Sequence, residues 1–215
     1  MAGSIATVIA AMTAFAATNI DDIVILMLLF SQVNESSRPR HIVVGQYLGF
    51  AVLLLVCLPG FFGGMVISKP WIGLLGFVPI AIGISHLIDK ADDEADIQTI
   101  NQSSPKLTPL TRLLHPQVFQ VAAITVANGG DNIGIYVPLF ASSDLVSLSI
   151  ILIVFAVLIG VWCAVAYQLT RHRAIAPILT RYAKRIVPFV LIGLGLYILL
   201  ENGSYQLLSE FRIHL

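Results

Sequence analysis

Charge is what this sequence has least of. Only 11% of its 215 residues are Asp, Glu, Lys or Arg, 57% are hydrophobic, and the formal net charge is zero. A water-soluble domain of this length would lack the polar surface to cover its core. The neutral balance offers no bulk attraction to nucleic acid, and no such partner is expected. Cysteine is scarce too: Cys57 and Cys163 both lie in apolar runs and form no spaced motif, as small buried hydrophobes do. The N-terminus has no basic stretch and its apolar run is too long for a signal peptide, so it is expected to remain as a membrane helix. There is no P-loop, no HExxH and no nucleophile–base pair. Nucleotide-driven transport, enzyme chemistry and a bound cofactor are therefore not expected.

What the chain does have is long apolar runs, with a mean hydropathy of +0.90. A bilayer core about 30 Å thick needs about 20 such residues per helix. The runs predict an all-α integral membrane protein with six spans in one transporter domain, residues 1–215. The spans are about Ser4–Phe30, Ile42–Ile67, Trp71–Ile88, Val118–Phe140, Leu145–Leu169 and Ile186–Leu200. Pro79 and Pro188 are expected to kink the short third and sixth. Residues 89–117 open with "DKADDEAD" and continue with "NQSSPKLTP", and read as a mobile, solvated loop.

Ten of the twelve Lys and Arg fall in the connections after spans one, three and five, and only Lys69 and Arg212 lie opposite. The positive-inside rule puts those connections in the cytoplasm and both termini outside. Three spans precede the long loop and three follow it. A duplicated unit with an odd number of spans must face both ways across the membrane, so inverted repeats are expected at about 4–88 and 118–200.

The polar residues support this reading. Asn19 and Asp22 form Asn-x-x-Asp in the first span, and Asn128 and Asp131 repeat it in the fourth. Asp21-Asp22-Ile23-x-Ile25 is similar to Asp131-Asn132-Ile133-x-Ile135. Asp22 and Asp131 differ by 109, Asp21 and Asp131 by 110, and an insertion near Gly129-Gly130 would reconcile the two registers. An aspartate at a helix centre costs about 2.5–3.5 kcal/mol, so three facing lipid would cost on the order of 8–10 kcal/mol. No Lys or Arg lies at matching depth in any span. A transported cation or proton is thus the natural partner. Asn19 and Asp22 share a helix face with Thr18 beside them, as do Asn128, Asp131 and Asn132. Asp21 is about 100° round from Asp22; it serves a second site, or the helix breaks and both carboxylates converge. Such oxygen donors suit a divalent metal ion, and the same carboxylates can take protons. Cys57 and His86 are weaker candidates as softer donors.

The stretches "AATNIDDIVILMLLFSQ" and "VANGGDNIGIYVPLFA" resemble the cadmium resistance transporter family, within the lysine-exporter superfamily. In length and span layout the resemblance covers nearly the whole chain, and GGDNIG-Y-PLF is its more specific motif. It implies export of cadmium or other divalent metal through a bacterial inner membrane, with Asn19, Asp21, Asp22, Asn128, Asp131 and Asn132 as the metal path. Manganese, calcium, zinc or a basic amino acid is the alternative cargo, since related families in the superfamily move such substrates. The expected partners are the metal ion, protons and the lipid bilayer, and a homo-oligomer is compatible with this composition.

Overall fold

The computed structural model describes residues 2–33, 38–88, 115–170 and 175–204, and among these it is helical with no strand. Most of the loop expected at 89–117, including its acidic run, lies outside the described residues. The helices are α1 (Ala2–Asn19), α2 (Asp22–Ser31), α3 (Pro39–Val66), α4 (Lys69–Gly73), α5 (Phe77–Ile88), α6 (Pro116–Asn128), α7 (Gly130–Ala141), α8 (Leu145–Leu169) and α9 (Ile175–Glu201). A 3-10 turn, Leu74–Gly76, joins α4 to α5.

The 28 residues of α3 and 25 of α8 reach about 42 and 37 Å at 1.5 Å per residue, enough for the hydrocarbon core. Three stretches, Pro39–Val66, Lys69–Ile88 and Leu145–Leu169, are long and apolar enough to cross a membrane, and α1 with α2 makes a fourth if the bent pair is one span. The other helices are divided at Gly129, or carry Arg181, Lys184 and Arg185 in their first half. Large apolar side chains stand on the outer surface, with Ile9 60%, Leu55 64% and Ile153 65% exposed. Water would not tolerate so many; lipid is their solvent. The chain is an all-α membrane protein.

Pro79 falls in the first turn of α5, where its missing N–H is not needed. The irregularity expected there precedes it, as the 3-10 turn. Pro188 lies inside α9, which starts eleven residues before the expected Ile186, at Ile175.

Packing crosses the two halves of the chain. The principal partners of α3 are α6 and α7, those of α8 are α1 and α2, and α5 lies along α9. Along α3 the contact depends on two Gly-x-x-x-Gly pairs. A Cβ at Gly45 would stand 2.7 Å from the carbonyl oxygen of Val118, and one at Gly49 would stand 2.7 Å from Cβ of Thr125. Gly60 and Gly64 similarly meet the carbonyls of Val137 and Ala141. Lipid gives helices no hydrophobic reason to associate, so close backbone approach through small residues does that work. Phe15, Phe50, Tyr136 and Phe155 bring α1, α3, α7 and α8 to one aromatic centre, with Tyr136 and Phe155 at 4.7 Å and Phe15 and Phe50 at 5.3 Å.

Gly49→Val should separate α3 from α6 and cost about 1–3 kcal/mol, as overpacking typically does. A lowered unfolding midpoint in detergent, with Gly63→Val as a control at a position with open space, would check this.

Candidate cation site at two helix breaks

The first span is not one helix. α1 stops at Asn19, α2 starts at Asp22, and the two are bent by 59° at Ile20-Asp21. A break leaves carbonyls at the end of α1 without intrahelical donors. Trp162 of α8 supplies one: its indole N–H donates to the carbonyl of Asn19 at 2.7 Å. Asp21 caps α2, its carbonyl accepting from the N–H of Val24 at 2.9 Å and its Oδ1 from the N–H of Asp22 at 3.2 Å.

The expected fourth span is likewise divided, at Gly129 between α6 and α7. Gly129 has φ −83°, a conformation open to any residue, so glycine is required here for space. A Cβ would run into the side chain of Leu53. Just beyond the break, Oδ1 of Asp131 accepts the N–H of Asn132 at 2.9 Å, the bond that Asp21 makes with Asp22. Burial agrees with that correspondence. Asp22 and Asn132 are 8% and 2% exposed, while Asp21 is exposed and Asp131 half-buried. Of the two registers in the sequence, local geometry thus favours 110, with Asp21 matching Asp131 and Asp22 matching Asn132.

The breaks meet in the interior. Asp22 is within electrostatic reach of Asp21 and Asp131, and Asp131 of Asp21. Among the described residues, no three His, Cys, Asp or Glu side chains are gathered tightly enough to hold an ion by themselves. Neutral oxygens must complete any shell, and two are in place. The Nδ2 of Asn19, 1% exposed, has the carbonyl of Phe15, Oγ1 of Thr18 and the hydroxyl of Tyr136 all at 2.8 Å. A carbonyl only accepts, so the nitrogen must face it, and Oδ1 is left buried without a hydrogen-bond partner. Oδ1 of Asn132 is likewise buried and unpartnered. Two orphaned acceptors beside three carboxylates suit a cation far better than an anion.

A family model for cadmium resistance transporters matches residues 15–211. The chain belongs to that family. No curated protein and no solved structure matches it.

In this cadmium resistance transporter, Asn19, Asp21, Asp22, Asp131 and Asn132 lie at the two breaks. Asn128 ends α6, half-buried, with its Nδ2 lacking a hydrogen-bond partner. Thr18 is buried and shares a 2.8 Å hydrogen bond with the hydroxyl of Tyr136. The two soft candidates are elsewhere. Cys57 is buried in the apolar core of α3, about 16 Å along that helix from Gln46 at 1.5 Å per residue. His86 is exposed near the end of α5.

Sequence reasoning missed four residues: Gln46, Thr125, Tyr136 and Trp162. Gln46 donates to Oδ2 of Asp22 at 3.5 Å and accepts from the Thr125 hydroxyl at 2.7 Å. Its signal was legible, an amide in the middle of an apolar span between two glycines. Tyr136 and Trp162 read as ordinary core aromatics, and nothing local marks them. The Tyr136 hydroxyl joins α7 to the end of α1. Tyr136→Phe keeps the ring packing and removes that join, which should cost about 1–2 kcal/mol, the worth of a buried hydrogen bond and the polar groups it strands. Thermal unfolding of the purified protein in detergent checks this.

Proposed function

We propose that this transporter is a six-span secondary exporter of divalent heavy metal, cadmium foremost, that works by proton antiport in a bacterial inner membrane. The carrying observation is the pair of helix breaks, at which Asp22 is buried within electrostatic reach of Asp131 and the side-chain oxygens of Asn19 and Asn132 are buried and unpartnered. The exchange of packing partners supports two inverted repeats, and the distribution of Lys and Arg supports both termini outside. α3 of the first repeat lies on the broken span of the second, and α8 of the second on the broken span of the first. Under a two-fold axis in the membrane plane, each relation becomes the other.

The chemistry follows from charge. Moving a 2+ ion outward against an inside-negative potential costs about 4.6 kcal/mol per 100 mV, twice the single-charge figure. Two protons entering for each ion leaving would cancel that electrical term. Asp21, Asp22 and Asp131 can neutralise the ion when it is bound and take up protons when it has left, so no carboxylate need cross the bilayer interior bare. Asn19 and Asn132 supply neutral oxygens in either state.

Asp22→Asn and Asp131→Asn should each reduce cadmium uptake into inverted vesicles to the level of vesicles lacking the protein, with folding intact by size exclusion. Uptake by the unaltered protein should require an acidic vesicle interior and collapse with a protonophore. Unaltered rates in either variant would refute the assignment of these carboxylates.

A further inference from the structure

Gln46 is the polar residue of α3 that the transport chemistry above leaves unused. It is 5% exposed in a helix that is largely apolar beyond Arg40 and His41, where an unsatisfied amide is costly. Both its ends are satisfied. Its Nε2 donates to Oδ2 of Asp22 at 3.5 Å, and its Oε1 accepts from Oγ1 of Thr125 at 2.7 Å. Asp22 in its ionised form can only accept, which settles the orientation of the amide: nitrogen towards the carboxylate, oxygen towards Thr125.

The other end of this strut is Thr125 of α6. Thr125 is also buried, at 5% exposure, and its hydroxyl stands 3.0 Å from the carbonyl of Val121 in the preceding turn. Gly45 and Gly49 flank Gln46 in sequence and bring α3 against α6, with Gly49 meeting Thr125 itself. Thr125 lies one turn before Asn128 and the break at Gly129. The chain Asp22–Gln46–Thr125 therefore spans from the first break to the base of the second, through a close helix contact along α3.

We propose that Gln46, held by Thr125, is a positioning residue that occupies Oδ2 of Asp22 and makes this carboxylate a one-oxygen ligand for the transported cation. The inference rests on the cation-export reading. It gives the site a basis for discrimination: a carboxylate whose Oδ2 is drawn towards an amide donor is disfavoured from clasping an ion with both oxygens. Large, flexibly coordinated ions such as calcium use two-oxygen carboxylate contacts, whereas magnesium keeps a strict octahedral shell. Engaging Oδ2 therefore weakens for calcium a contact it would otherwise use.

The test is cadmium flux in proteoliposomes for Gln46→Met, Thr125→Val and Thr125→Ser, each with half-saturation, maximal rate, and calcium and magnesium competition measured. Gln46→Met keeps length and loses the donor. Its half-saturation concentration should rise roughly tenfold or more, the worth of a hydrogen bond to a charged group, with a maximal rate within about twofold. Calcium should compete several-fold more strongly than against the unaltered protein, and magnesium no more strongly. Thr125→Val should move both quantities in the same direction, and Thr125→Ser, which restores the hydroxyl, should return them to the original values. If the Gln46→Met protein does not fold, the Thr125 pair decides alone. Unchanged half-saturation and calcium competition in Thr125→Val, or Thr125→Ser behaving like Thr125→Val, would overturn the proposal. So would a loss confined to maximal rate. Asp22→Asn in the same assay separates the two readings: if it abolishes flux while Gln46 and Thr125 variants are silent, only the positioning role fails. If the unaltered protein moves no divalent cation, the export reading fails and this one with it.

Discussion

Inside a bilayer, a backbone group released from its helical partner has no water to turn to. The rest of this structure depends on that constraint. Interrupting a helix at Ile20-Asp21 and another at Gly129 creates local polarity that hydrocarbon cannot solvate. The protein meets that need with groups brought from distant helices: the Trp162 indole for the carbonyl of Asn19, and the Tyr136 hydroxyl for the side chains beside it. Each break exists because another helix supports it. That interdependence also brings the two breaks to one place.

The support is selective. The Nδ2 donor of Asn19 is satisfied, while the side-chain oxygens of Asn19 and Asn132 and the Nδ2 of Asn128 are not. The amide nitrogen of Asn19 is fully engaged, whereas its oxygen, and that of Asn132, have no donor. A region that merely tolerated polar residues would satisfy both ends of each amide. This one leaves acceptors unpartnered at two breaks that also carry carboxylates.

How much of this was legible in the sequence depends on whether the signal was local. Apolar runs placed α3 and α8 to within a few residues, because the bilayer imposes a length that composition must obey. The repeated Asn-x-x-Asp marked both breaks, since a carboxylate in hydrocarbon is too costly to be incidental. Long-range pairings were not legible. Nothing near Trp162 announces a donor for a carbonyl 143 positions away. Gln46 was overlooked because attention went to formal charge, although an amide in lipid also needs a partner. The choice between registers of 109 and 110 required burial and hydrogen bonding. The sequence holds both matches, and only the folded chain separates the more exposed pair, Asp21 (exposed) and Asp131 (half-buried), from the buried pair, Asp22 and Asn132.

The crossed packing has a mechanical consequence. α8 is bonded and packed to α1 and α2, and α3 is locked through its glycines to α6 and α7. The stiff bodies of this molecule are therefore not the two halves of its sequence. Each combines the broken span of one half with the continuous second span of the other. The seam between them is crossed by the Gln46–Asp22 contact and by the Tyr136 hydroxyl reaching Thr18 and Asn19. A rocking motion at that seam would turn the two breaks past one another as paired jaws. Asp22 lies on that seam, where small rotations would change its surroundings most.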